Sequence, residues 1–294
     1  MRNIRLFGKT IPLKDRDCGL NGKPGELREP SVNIFVKITD NCNAACPFCV
    51  FTNAAYTRFN NIKFINTLDT IRSQIKISKI SFTGGEPTLQ RDTLDLVLWG
   101  IHNLDPKINV TVNTNGFDLE AFPYDYINNM SLSKHHYDPG IDDVIFGHKT
   151  YKSEEINKMI ASIPKEKLQL SCSVAKSGLY KTIDSTDEIY KYLTFYAGLG
   201  VYAFGFNSLM AVNDYCKSHY LNTLEMLDKL PNTRKSMSWL RPDKGCMCNN
   251  YVTATPSGLV TSYAKCNKDI AACDSILVFD VDKLMLGFGG EVIY

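Results

Sequence analysis

The chain has 294 residues, 44% of them hydrophobic and 22% charged, a composition that excludes a disordered or collagen-like polypeptide. Its 33 Lys and Arg nearly balance 31 Asp and Glu, for a net charge of +2, which gives no support for bulk nucleic-acid binding or a membrane-surface footprint. No run approaches the ~18 apolar residues of a membrane span, and the opening MRNIRLFGKTIPLKDRD has scattered charges and no signal-peptide core, so a cytoplasmic, reducing location is expected.

Residues 1–30 read as a polar lead-in, punctuated by Gly and Pro and containing Cys18. From Asn33 to Asn207, short β-branched or aromatic runs alternate with helical patterns. Strands are expected at Asn33–Ile38, Lys79–Thr83, Lys107–Val112, Asn128–Ser133, Leu168–Val174 and Val201–Asn207. Helices are expected where apolar residues recur about every 3.6 positions, as at Leu68, Ile71 and Ile75 and at Leu94, Val97, Leu98 and Ile101. Ser185-Thr186-Asp187-Glu188 is a capping box before Ile189, Tyr192, Leu193 and Tyr196, and Gly198 and Gly200 end that helix. Strands alternating with helices predict an α/β fold, a parallel sheet curled by right-handed crossovers into a partial (β/α)6 TIM-like barrel over residues 31–215. Residues 216–294 read as a smaller extension. There an amphipathic helix (Leu221, Leu224, Leu227, Leu230) runs into Pro231, and Tyr251–Thr255 and Leu259–Ala264 flank the turn Pro256-Ser257-Gly258 as a β-hairpin bracketed by thiols.

Cysteine is the unusual component, with ten residues at 18, 42, 46, 49, 172, 216, 246, 248, 266 and 273. In a reducing compartment, close-spaced thiols point to metal ligation rather than disulfides. Cys42-Asn-Ala-Ala-Cys46-Pro-Phe-Cys49 directly follows the first strand of the expected barrel. Three thiolates so spaced can wrap one iron–sulfur cube and leave one iron without a protein ligand, an open position that suits catalysis. The competing readings are buried apolar thiols or a structural zinc site, for which no fourth Cys or His follows before His102. Gly84-Gly85-Glu86-Pro87 follows the next strand, at the carboxyl edge where ligand sites of parallel sheets gather. Two glycines let the backbone approach a ligand, and the carbonyls or the carboxylate can accept from an ammonium group. Alone, the run reads equally as an ordinary strand-to-helix turn.

With CNAACPFC and FTGGEP as anchors, residues 32–210 resemble the radical S-adenosylmethionine (radical SAM) superfamily. The resemblance implies that Cys42, Cys46 and Cys49 hold a 4Fe–4S cluster whose fourth iron is chelated by S-adenosylmethionine. It further implies that Gly84, Gly85 and Glu86 contact the methionine amino group and that Phe48 lies near the adenine. One electron into the sulfonium then releases methionine and a 5′-deoxyadenosyl radical, which takes hydrogen from substrate. Asn113-Thr114-Asn115-Gly116 is similar to TTNG-like motifs, placing Asn115 at or just behind the cosubstrate, and Ser133 matches a serine that reaches the ribose. Lys134-His135-His136-Tyr137-Asp138 replaces the common Ser-Leu-Asp run. Either one of His135, His136 and Tyr137 touches substrate, with His136 the candidate catalytic residue, or the run is a polar loop. Cys172 stands where asparagine is frequent, as a hydrogen-atom donor facing the radical or as a core residue.

Cys246, Cys248, Cys266 and Cys273 supply four thiols around the expected hairpin, enough for a zinc ion or a fully ligated iron–sulfur cluster. Their layout resembles the twitch or SPASM-like extension of certain radical SAM enzymes, with Gly258 as the turn glycine. This implies an auxiliary 4Fe–4S cluster, with structural zinc and free thiols as alternatives, Cys18 as a spare ligand and Cys216 outside any pattern. The reading that follows is an enzyme that modifies a peptide or related metabolite by oxidation, epimerisation or cyclisation, with flavodoxin or ferredoxin as electron donor. Two nucleotide-modifying branches compete. The GTP cyclases of the molybdopterin pathway normally carry a Gly-Arg-rich tail that has no counterpart in LMLGFGGEVIY, and the viperins have no second cysteine cluster. A non-catalytic iron–sulfur electron carrier would account for both cysteine groups but leave GGEP and the barrel unused.

Overall fold

The central segments form a parallel sheet. The structure, a computed structural model, describes residues 2–13, 30–49, 58–147, 152–210, 212–227, 229–230, 234–239, 249–255, 258–264, 276–287 and 290–294. It opens with a hairpin of β1 (Arg2–Leu6) and β2 (Lys9–Leu13). The repeating part follows as β3 (Ser31–Lys37), α1 (Asn61–Arg72), β4 (Lys76–Thr83), α2 (Arg91–Leu104), β5 (Asn109–Thr114) and β6 (Asn129–Ser133). It continues through α3 (Pro139–Phe146), α4 (Ser153–Ile160), β7 (Leu168–Val174), α5 (Thr186–Gly198) and β8 (Ala203–Ser208). Each strand from β3 to β8 pairs in parallel with the next in sequence order, the result of successive strand–helix–strand crossovers.

The helices sit where the apolar spacing requires. Leu94, Val97, Leu98 and Ile101 are the buried stripe of α2, and Phe64, Leu68 and Ile71 that of α1. Ser185 caps α5 by accepting from Glu188 N, as its sequence suggests, and Gly200 turns the chain at φ +80°. One face of the sheet packs on these helices. Phe82 meets Phe64 at 6.4 Å, and Phe204 and Phe206 meet Tyr192 at 6.3 and 5.5 Å. Because side chains alternate along a strand, the other face carries Asn33, Lys79, Ser81, Thr111, Asn113, Ser131, Ser133, Gln169, Ser171, Ser173 and Asn207 and, Phe35 apart, is largely polar.

The remaining elements are α6 (Asp214–Ser218), α7 (Thr223–Leu227), β9 (Arg234–Trp239), β10 (Asn249–Thr255), β11 (Gly258–Ala264), β12 (Ile276–Asp280) and β13 (Lys283–Leu286). The expected hairpin is present as β10 and β11 with Thr255 opposite Gly258. It is not a separate appendage: β11 pairs in parallel with β8, while β12 pairs in parallel with β3 at the opposite end of the sheet. The resulting order, β13-β12-β3-β4-β5-β6-β7-β8-β11-β10-β9, is linear. Two expectations are corrected. The helix through Leu221 and Leu230 shrinks to α7, because Lys229 N and Leu230 N bond back only three residues, to Met226 O and Leu227 O, and a residue before proline disfavours helix. The polar lead-in contains a hairpin with Leu6, Ile11 and Leu13 buried in the main core. Among the described residues no helix is long and apolar enough to cross a membrane.

Candidate functional site

The thiol loop leaves β3 at Lys37, whose ammonium pairs with Asp40 and, at 3.3 Å, with Asp280 on β12. The loop is fastened at both flanks. Ala45 N donates to Phe146 O on α3 at 2.7 Å, and Asn213 Nδ2, at the start of α6, donates to Pro47 O at 3.2 Å. Within it, Cys49 N donates to Cys46 O at 3.1 Å and Ala44 N to Cys42 Sγ at 3.3 Å. Cys42 and Cys46 are half-buried and Cys49 is exposed. All three line one cavity of about 160 Å³, together with Asp40, Ala44, Ala45, Gly84 and Gly85. Burial pushes the Cys42 thiol up to about 11, and burial with the neighbouring thiols pushes Cys46 well above the usual thiol range. Among the described residues no three His, Cys, Asp or Glu side chains converge closely enough for a single metal ion. The three thiols ring a space instead.

The far wall of that space is backbone. Gly85 N donates to Thr39 O and Glu86 N to Asn41 O, both at 2.8 Å, so the GGEP turn is stitched to the thiol loop. Gly84 has φ +121°, and a Cβ on Gly85 would stand 1.9 Å from Asn41 O. No side chain fits between these loops. Glu86 is 2% exposed and its carboxylate points into the protein. It accepts from Thr88 N (3.0 Å), Thr88 Oγ1 (2.8 Å), Thr114 Oγ1 (2.6 Å) and Asn115 N (2.7 Å). Burial raises its carboxyl, and these four donors oppose the rise. The side chain of Glu86 thus ties the end of β4 to the end of β5, and the glycines are what border the cavity. Asn115 is likewise buried, donating from Nδ2 to Asn43 Oδ1 at 2.8 Å and so bracing the residue next to Cys42.

At the end of β6, Ser133 is half-buried on the polar face of the sheet. The following histidines diverge. His135 packs edge-on against Phe48 of the thiol loop, ring centroids 4.8 Å apart, and against Phe146 at 4.9 Å. Its Nδ1 accepts from Ser173 N at 3.1 Å, and burial holds its imidazole down to about 4. His136 instead faces α5. Tyr196 Oη donates to its carbonyl at 3.0 Å, its Nδ1 accepts from Asp138 N at 2.9 Å, and its Nε2 is 3.9 Å from Glu188 Oε2. Sequence alone singled out His136, whereas the side chain that meets the thiol loop is His135. The organiser of this segment, which sequence did not flag, is Asp142. Fully buried, it accepts from His135 N and His136 N and pairs with the equally buried Lys134 at 2.6 Å. Cys172 lies in the core. Strand alternation puts it with Leu170 and Val174 on the helix side, its thiol against His135 O at 3.6 Å, while Ser171 and Ser173 take the polar face.

Lys79 is another residue that periodicity could not mark. On the polar face, burial holds it below its ordinary lysine value. Nearby on the same face, Thr111 Oγ1 is buried without a partner among the described residues. Cys18, Cys246, Cys248, Cys266 and Cys273 lie outside the described residues. The neighbours Asn249 and Ala264 pair with each other, at the end of β11 where Tyr263 stands opposite Asn207 of β8.

Residues 36–168 match the family model described as the Radical SAM superfamily. Over 94 residues the chain is 32% identical to a probable GTP 3′,8-cyclase of Thermococcus kodakarensis, a stretch that covers 31% of this chain and 29% of that protein. SuiB of Streptococcus suis, solved bound to its precursor peptide SuiA, has a similar fold at a TM-score of 0.52 and 17% identity, covering 64% of this chain and 41% of that one. SuiB bound to S-adenosylmethionine gives the same TM-score and identity, with 43% of that chain covered. The chain therefore spans less than half of these relatives, and the likeness to SuiB is one of fold. The thiol loop, the glycine turn and the Asn115 and His135 segments all fall within residues 36–168, the stretch that matches the Radical SAM superfamily model.

Proposed function

We propose that the protein is an enzyme that cleaves S-adenosylmethionine reductively and uses the 5′-deoxyadenosyl radical to take hydrogen from a substrate, in the cytoplasm. The observation that carries this reading is the placement of Cys42, Cys46 and Cys49 around one cavity walled by Gly84 and Gly85. The donor set fits a 4Fe–4S cluster: thiolates are its usual ligands, and three of them leave one iron open. When bound, such a cluster supplies the electron that splits the sulfonium into methionine and the radical. The chain's own residues do the rest. Gly84 and Gly85 offer bare backbone to the methionine ammonium, Glu86 holds that turn in place, and Phe48, Asn115 and Ser133 border the remainder of the cosubstrate. A partial (β/α)6 barrel is supported by the bond from Asn213 to Pro47, since the strands they follow would lie about 24 Å apart in a flat sheet.

The paired ends of β10 and β11 at the carboxyl edge of the sheet support an auxiliary cluster on Cys246, Cys248, Cys266 and Cys273, which accepts the electron left after hydrogen abstraction. The favoured substrate is a peptide or related metabolite, supported by the fold shared with SuiB, and the electron donor is a flavodoxin or ferredoxin. A second reading, a nucleotide substrate, is favoured by Lys79, a half-buried lysine on the polar face. Anaerobic reconstitution with iron and sulfide, followed by dithionite and S-adenosylmethionine, should yield 5′-deoxyadenosine, and a cluster-loaded protein that yields none would refute the proposal. Replacing Lys79 by Ala separates the substrates. Loss of binding to a nucleoside triphosphate would favour the second reading, and indifference the first.

A further inference from the structure

We propose that Lys37, Asp40 and Asp280 set the reduction potential of the group held by Cys42, Cys46 and Cys49, with Lys37 as the positioning residue of the set. The assignment rests on the cluster proposed above. The strands fix the frame. Lys37 ends β3, with Asp280, the last residue of β12, as its register partner on one side and Thr83 of β4 on the other. Its ammonium pairs with Asp40 and, at 3.3 Å, with Asp280. Its stem runs beside the glycine turn, where a Cβ on Gly84 would stand 2.9 Å from Lys37 Cγ. Val281 N donates to Lys37 O at 3.2 Å and holds the end of β12 against β3.

Asp40 carries the charge to the cavity. It is the one carboxylate among the described residues that line the space ringed by the three thiols. Its backbone is fixed on both sides, because Thr39 O and Asn41 O accept from Gly85 N and Glu86 N, each at 2.8 Å. The side chains of Lys37 and Asp40 are each 16% exposed and that of Asp280 is 29% exposed, so solvent screens the set only in part. Reduction adds one negative charge to a cluster. A carboxylate beside it opposes that step and an ammonium favours it. Lys37 therefore offsets Asp40, while Asp280 both anchors Lys37 and cancels part of its charge.

Charge substitutions of opposite sign separate this role from a purely structural one. Each variant is reconstituted with iron and sulfide, assayed for iron content and melting temperature, and titrated with reductant under electron paramagnetic resonance. Lys37→Met should lower the potential, and Asp40→Asn and Asp280→Asn should raise it, Asp40→Asn the more because Asp40 borders the cavity. We expect Lys37→Met and Asp40→Asn each to shift the reduction equilibrium at least tenfold, about 59 mV for one electron, in opposite directions. Lys37→Arg and the double variant Lys37→Met/Asp40→Asn should return close to the wild-type value. Shifts of one sign in all three single variants, or a wild-type potential in Asp40→Asn, would overturn the proposal. If Lys37→Met holds no iron, the upward shift of Asp40→Asn sustains the proposal and its absence sinks it. Wild-type protein that takes up no iron and sulfide would instead overturn the cluster reading on which it rests.

Discussion

Replacing Gly85 by alanine tests how tightly the thiol loop and the glycine turn are joined. The added Cβ would lie 1.9 Å from Asn41 O, 2.4 Å from Asn41 C and 2.9 Å from Asp40 C, all backbone atoms with no rotamer to yield. Restoring ordinary contact at 3.4 Å requires a separation of about 1.5 Å. The bonds from Gly85 N to Thr39 O and from Glu86 N to Asn41 O, both 2.8 Å, would break. Two backbone bonds at about 1 kcal/mol each, with residual strain of about 1–2 kcal/mol, give a cost of about 3–4 kcal/mol confined to the two loops. The helix-side core is untouched, so the far-ultraviolet circular dichroism should stay native. Iron and sulfide per chain, and 5′-deoxyadenosine formation, should each fall at least tenfold. Gly198→Ala, where nothing lies within 4 Å, is the neutral control. Wild-type loading and turnover in Gly85→Ala would refute the interlock.

Alanine at any one of Cys42, Cys46 or Cys49 should abolish 5′-deoxyadenosine formation, read by chromatography after dithionite reduction, while Cys266→Ala should leave cleavage uncoupled from product. Lys134→Met should destabilise the chain by about 3–5 kcal/mol in urea unfolding, because it strands the carboxylate of Asp142 in a fully buried site. His135 titrates at about 4 when folded and near 6.5 when unfolded. The unfolded chain therefore binds the proton first as pH falls: stability from this group is complete above about 6.5 and is lost toward 4, by about 2 kcal/mol at pH 5. Urea unfolding of wild type and His135→Asn at pH 7.5 and 5 should show that difference between the two proteins.

The parallel sheet was legible because its strands repeat a two-residue alternation and its helices a 3.6-residue one, signals that survive without tertiary knowledge. The thiol triplet and GGEP stood out by their spacing and their place after strands, and the structure brings both to one cavity. Faces were harder. Cys172 is assigned to the helix side only when Leu170 and Val174 are seen buried beside it, and a one-position error in register inverts that conclusion. His135 and His136 are adjacent and alike in sequence, and what separates them is Ser173 on one side and Glu188 on the other. The hairpin of β1 and β2 escaped notice because Lys9 and Thr10 interrupt its apolar pattern at the turn, where Phe7 and Gly8 adopt positive φ. The strands β12 and β13 are short, and their assignment to the β3 edge depends on long-range pairing that no local pattern encodes.

The pairing of β12 with β3 and of β11 with β8 bears on how the protein is made. During synthesis β3 emerges early, yet one of its sides stays bare until residues 276–280 have left the ribosome. Unpaired strand edges invite wrong partners, so a nascent chain halted near residue 215 would be a template for aggregation rather than a working half-protein. Biotechnological truncation at that boundary meets the same hazard: the late strands act as selvedges, and cutting them away frays the cloth from both sides.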